Sequence, residues 1–218
     1  MSNDPTEESF LRDVAQHQMT VIHDAGEIRH LRFGRHGDSN MHFNITTVPG
    51  YLMFTGDMGA WSFTRLRDMF AFFRGKEDGP LRINRGYWSE KLIAASCSGR
   101  HDGAATEYSE ELFKATLWRE ALGLARRMKD AGVSAEHRAN MLEDLRDVRY
   151  AGSNGEHAAH QAAHDFEYRV GRYAFGLRDF YENSLRTYTY RFTWACYAIA
   201  WAIRVYDASR MPAVGEAA

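Results

Sequence analysis

Hydrophobic and polar positions change their period along this chain, and each change marks an expected boundary between elements. Pro5, Glu7 and Glu8 stand ahead of Phe10, Leu11 and Val14. Proline and acids suit a first helical turn, so a short helix is predicted up to Gln18. From Met19 to Thr64 the period becomes two. Apolar and polar residues alternate over Thr20–Asp24, Glu27–Phe33, Met41–Thr46, Tyr51–Thr55 and Ala60–Phe63, with Gly, Pro, Asn and Asp between the runs. Short strands joined by short turns predict an antiparallel meander of four to five strands.

Beyond Thr64 the period is helical. Leu66, Met69, Phe70 and Phe73 make one stripe, and a short helix is expected within Asn84–Ala95, starting near Gly86. Ser109 followed by two glutamates opens a long helix to Lys129, with Phe113, Leu117, Ala121, Leu124 and Met128 as its apolar face, widened by Trp118 and Ala125. Ser134 is a good cap for the next helix, to Arg149. Further helices are predicted over Glu156–Leu177 and Asp179–Asp207, with a flexible tail from Ser209. The fold class read here is α+β: an N-terminal antiparallel sheet, then a larger all-helical region over 65–208. With four prolines and no Ser/Gly-rich stretch, 1–218 is read as a single domain.

The final helix is apolar on two sides. At 100° per residue Tyr190, Trp194, Tyr197 and Trp201 share one stripe, while Phe192, Cys196, Ile199, Ile203 and Tyr206 share the other. Both need cover. A subunit interface on the first stripe is expected, giving a homo-oligomer, and the sheet's apolar face is the competing cover.

Charge narrows the partners. Twenty-seven basic residues stand against 29 acidic, a formal net charge of −2. No field for duplex nucleic acid is expected from that balance. Of the basic residues 23 are Arg and 4 are Lys. Arginine forks suit phosphates and carboxylates, although a GC-rich coding sequence gives the same bias. The start of the chain lacks the pattern of a signal peptide. The run Phe192–Ile203 is short of the roughly 20 apolar residues that span a bilayer, so a cytoplasmic protein without membrane association is expected.

Several groupings carry candidate chemistry. With Met41, Phe43 and Ile45 facing one way, His42 and Asn44 face the other, and the preceding strand adds His30 and Arg32 to that side. These four form a candidate anion site, or the solvated face of a half-buried sheet. Arg85 and Trp88, in RINRGYW, combine a cation with a stacking surface. His157, His160 and His164 lie within about 60° on one helix, a spacing that suits a divalent metal, but without an HExxH order. The turn TGDMG (Thr55–Gly59) matches no phosphate or dinucleotide loop. Cys97, Ser98, His101 and Asp102 crowd a polar loop, which is poor evidence for catalysis because catalytic partners usually meet from distant segments. No motif assigns a reaction or implies a cofactor.

The stretches HLRF (His30–Phe33), VPGYLMFTGDMGAWSFTRLRDMFAFFR (Val48–Arg74), INRGYWSEKL (Ile83–Leu92) and YTYRFTWACYAIAWAI (Tyr188–Ile203) resemble a family of conserved phage and prophage proteins of unassigned function. The resemblance transfers no catalytic residue. It implies an accessory protein, some of which counter host defence by sequestering nucleotide signals. A phage-encoded protein binding a small anionic, nucleotide-like ligand is expected. A metal-assisted hydrolase on the three histidines and a scaffold or inhibitor of a host protein are its alternatives.

Overall fold

A computed structural model of the chain describes residues 4–76, 78–96 and 105–210. In chain order the elements are α1 (Glu7–Asp13), β1 (Gln18–Ala25), β2 (Ile28–Arg35), β3 (Asp38–Val48), β4 (Tyr51–Gly56), β5 (Gly59–Thr64), α2 (Met69–Phe73), α3 (Arg85–Ser89) and β6 (Leu92–Ser96). Then follow β7 (Thr106–Tyr108), α4 (Glu110–Asp130), α5 (Ala135–Ala151), α6 (Glu156–Asp165), β8 (Glu167–Val170), β9 (Tyr173–Gly176), β10 (Arg186–Tyr188) and α7 (Tyr190–Arg210). The chain divides into two compact units, residues 1–106 with 188–218, and residues 107–187.

The first unit is built on a six-stranded antiparallel sheet in the order β1-β2-β3-β4-β5-β6. Alternation fixes its register, because sliding by one residue would turn every core side chain to the outside. Leu31, Phe33, Phe43, Ile45, Leu52, Phe54, Trp61 and Phe63 are buried on the inner face. The outer face carries the alternate positions. Gly56 is dictated by a close approach: a Cβ there would stand 2.2 Å from the His42 carbonyl oxygen. β1 and β2 shift register between Val21 and His23, and β5 and β6 between Ser62 and Phe63. Such irregularities at edge strands hinder pairing with another chain.

α7 lies on the inner face. Trp194 and Trp201 meet the Phe43 ring at centroid distances of 5.8 and 6.3 Å, and Phe192 meets Trp61 at 5.3 Å. α1 covers the remaining aromatic stripe, with Phe10 5.0 Å from Trp194 and 5.8 Å from Tyr197. The Trp194 indole N–H donates to Asp13 at 2.9 Å. Within one chain α1 and the sheet cover this stripe: Trp194 is fully buried, and Tyr190, Tyr197 and Trp201 are half-buried. The opposite stripe packs through Tyr206 on Phe70 of α2. Arg29 is buried beside them, its guanidinium 4.5 Å from the Phe70 ring centroid and 2.9 Å from Asp68. Asp68 also caps α2 through the Phe70 N–H.

The second unit packs α4, α5 and α6 around Phe113, Leu124, Met128, Met141, Leu145, Ala159 and Phe180. Ser109 and Ser134 cap α4 and α5 as the sequence predicts, accepting from the N–H groups of Leu112 and His137.

The short helix expected within Asn84–Ala95 is α3, but Leu92 onward forms an unpredicted strand, β6, where Leu92 pairs with Phe63 as the sixth strand of the sheet. Two helical expectations are corrected. The Glu156–Leu177 helix ends at Asp165, and Gly171, with a φ of +55°, turns β8 into β9. The Asp179–Asp207 helix begins only at Tyr190, after β10, and continues to Arg210. The region after the sheet is therefore not all helical. Among the described residues, no helix is long and apolar enough to cross a membrane.

Candidate functional site

β2 and β3 build the outer-face site from their alternating residues. Arg32 pairs in register with Asn44 on one side and Thr20 on the other, and His30 lies opposite Thr46. The strands therefore do bring His30, Arg32 and Asn44 onto one face. None of the three side chains has a hydrogen-bond or ion-pair partner among the described residues. Arg32 is exposed, and His30 and Asn44 are half-buried.

His42 is on that side but is committed elsewhere. β3 bulges between Asp38 and Phe43, where Met41 takes a left-handed φ of +58°. The His42 ring turns outward along the bulge. Its Nδ1 lies 2.6 Å from the Ser39 carbonyl oxygen and 3.2 Å from the Asp57 carboxylate, to which it can only donate. The Asp57 carboxylate makes this end of the face unfavourable for an anion.

The sheet continues past Arg32 into a depression of about 460 Å3 beside the turn that joins β2 to β3. Arg32, Arg35, His36 and Ser39 line it, with Gln18 and Thr20 from β1. Gly37, with a φ of +74°, makes the tight turn that brings His36 and Asp38 together over this corner. Arg35 is incompletely satisfied. Its Nη1 stands 3.9 Å from Asp38, beyond hydrogen-bond range, and its Nε is buried with no partner. Arg32 and Arg35 thus line one concavity, against Asp38 as the one carboxylate among the described lining residues. A phosphate or carboxylate of a ligand suits a surface lined by two arginines.

The remaining candidates are not brought here. Arg85 donates to Thr193 on α7 at 3.2 Å and to Asp4 at 3.3 Å, and stacks 5.1 Å from the Tyr188 ring centroid. Trp88 is buried, 4.8 Å edge-on from Phe73. Both therefore lie on the α7 side of the sheet, across it from Arg32, and act as packing anchors. The expectation that they share a ligand with the strand residues is corrected.

The histidine helix is also corrected as a metal site. His157 and His164 are exposed, while His160 packs 6.0 Å from the Phe180 ring centroid. Among the described residues no three His, Cys, Asp or Glu side chains converge to hold a metal ion. Cys97, Ser98, His101 and Asp102 lie outside the described residues. Cys196 is fully buried under α7's neighbours, and burial pushes its thiol far above the usual range, which leaves it inert.

Alternation along the strands found Arg32. It missed Arg35 and His36 because GRHGDSN reads as turn punctuation and nothing in the sequence marks the bulge in β3. Comparison with family models, with curated proteins and with solved structures finds no match.

Proposed function

We propose that this chain is an accessory protein that holds a small anionic, nucleotide-like ligand in the depression beside the β2–β3 turn. The observation that carries this reading is that Arg32, without a hydrogen-bond or ion-pair partner among the described residues, and Arg35 line one concave surface. A hydrogen bond between a guanidinium and an anion contributes about 1.5–3 kcal/mol. Thr20, Gln18 and Ser39 add neutral hydrogen-bonding groups around the two cations. The resemblance to phage and prophage proteins supports a sequestering role, in which tight binding without chemistry suffices.

Thermal unfolding with nucleoside mono- and diphosphates, cyclic nucleotides and inorganic phosphate tests the reading. A ligand at a hundred times its Kd stabilises the folded state by about 2.7 kcal/mol. For a chain of this size that raises the melting temperature by roughly 5–10 °C. The shift is expected to vanish in Arg32→Ala/Arg35→Ala. Absence of any shift at millimolar ligand, or a full shift in the double variant, contradicts the reading.

A further inference from the structure

The second unit carries a different kind of concavity. α4 and α5 are joined by only four residues, 131–134, so they run antiparallel. Between them lies a groove of about 470 Å3, in the size range of small-molecule sites. Leu117, Ala121 and Leu145 form its floor, with Trp118 and Leu142 as walls. Trp118 is 58% exposed, although it sits in the middle of a helix whose other large aromatic, Phe113, is fully buried.

Among the described residues the charges on this groove have one sign: Lys114, Arg146 and Arg149 line it, and no carboxylate does. Lys114 is paired to Glu110 and Arg146 to Glu143, both of which point along their own helices. Arg149 has no ion-pair or hydrogen-bond partner among the described residues. The antiparallel arrangement also sorts the groove along its length. Gly152 lies against the Phe113 ring, so Arg149 and Lys114 stand at the same end, and Leu142 lies toward the other. An apolar trough is thus joined to a cationic end.

We propose that this groove is a binding site for a free amphipathic anion, a ligand with an apolar body and one carboxylate, sulfonate or phosphate head. The body lies on Leu117 and Leu145 beside the Trp118 ring, and the head meets Arg149 and Lys114. Burial of the apolar body supplies the affinity, and the cations select the sign of the head. This site is independent of the arginine depression on the sheet.

The test uses the full chain and sodium dodecanoate below its micelle concentration. Trp118 is the exposed tryptophan, so acrylamide quenching of intrinsic fluorescence reports on it. Dodecanoate is expected to protect Trp118 in a saturable way, and dodecyltrimethylammonium, with the same tail and opposite charge, to bind at least tenfold more weakly. Arg149→Glu is expected to weaken dodecanoate binding at least tenfold while the circular dichroism and melting temperature stay unchanged. Arg32→Ala leaves dodecanoate binding intact, which separates this site from the other. Equal binding of the two surfactants, no effect of Arg149→Glu, or no protection up to millimolar dodecanoate overturns the proposal. Binding of an acidic amphipathic peptide at Trp118 without any binding of dodecanoate overturns it as well, and assigns the groove to a protein partner.

Discussion

Single residues decide both the stability of this chain and its candidate chemistry. Arg29 and Asp68 show the balance of terms. Burial raises the Asp68 carboxyl, but hydrogen bonds from Arg29 and the Phe70 N–H, with the Arg29 charge, outweigh it and hold the group below its usual value. A carboxylate held down in this way stabilises the fold above its unfolded pKa, near pH 4, and loses that contribution as pH falls through the folded value. Urea unfolding from pH 6 to pH 3 is expected to show stability falling below about pH 4, with a smaller fall in Asp68→Asn. Identical slopes for the two proteins would show that the pair contributes nothing to acid sensitivity. Gly152 gives a second residue-level prediction. A Cβ there would meet the Phe113 ring at 2.3 Å and the Tyr108 hydroxyl at 3.3 Å. Tyr108 donates to the Gly152 carbonyl, and burial, then Glu110, Glu156 and Glu111, push its phenol up to about 12. Gly152→Ala is therefore expected to destabilise by about 1–3 kcal/mol through overpacking, measured by chemical denaturation.

At the scale of elements, α7 is the centre of the first unit. Its two apolar stripes find cover from α1 and the sheet on one side and from α2 on the other. Trp201→Ala removes ring contacts to Phe10, Phe33 and Phe43. Loss of a packed tryptophan costs about 3–5 kcal/mol. The variant is expected to melt earlier with its mass unchanged by light scattering, and a change of mass with an unchanged melting temperature would point instead to the subunit interface that the sequence suggested. The sequence showed α7 as doubly apolar but not what covered it, because α1 lies nearly two hundred residues away along the chain. The five meander strands were legible from their period of two and their Gly and Asn/Asp turns. β6 was not, since Ile93-Ala94-Ala95 has no alternation and follows a helix. β8 and β9 were hidden by Gly171, which reads equally as a flaw in a helix or as a turn. Of the candidate site, Arg32, His30 and Asn44 were placed on their face by alternation alone. Arg35 was not, because the bulge at Met41 shifts the register and no pattern in the sequence announces it.

For the whole molecule, near-neutral charge and 23 arginines fit discrete anion sites better than a general basic surface. Arginine is the common element of the proposed sites, in Arg32 and Arg35 on the sheet and in Arg146 and Arg149 on the helices. The two units give the two sites different characters: polar and shallow on the sheet, apolar with a charged end between the helices. Binding of a phosphate-bearing ligand at the sheet site is tested by titrating the 15N-labelled chain with adenosine monophosphate, a cyclic dinucleotide and inorganic phosphate, followed by amide chemical shifts. Saturable shifts centred on Thr20, Arg32 and residues 35–39 are expected, weakened by added salt and lost in Arg32→Ala/Arg35→Ala. Titrations that leave those amides unmoved, or that move only residues within 107–187, contradict it.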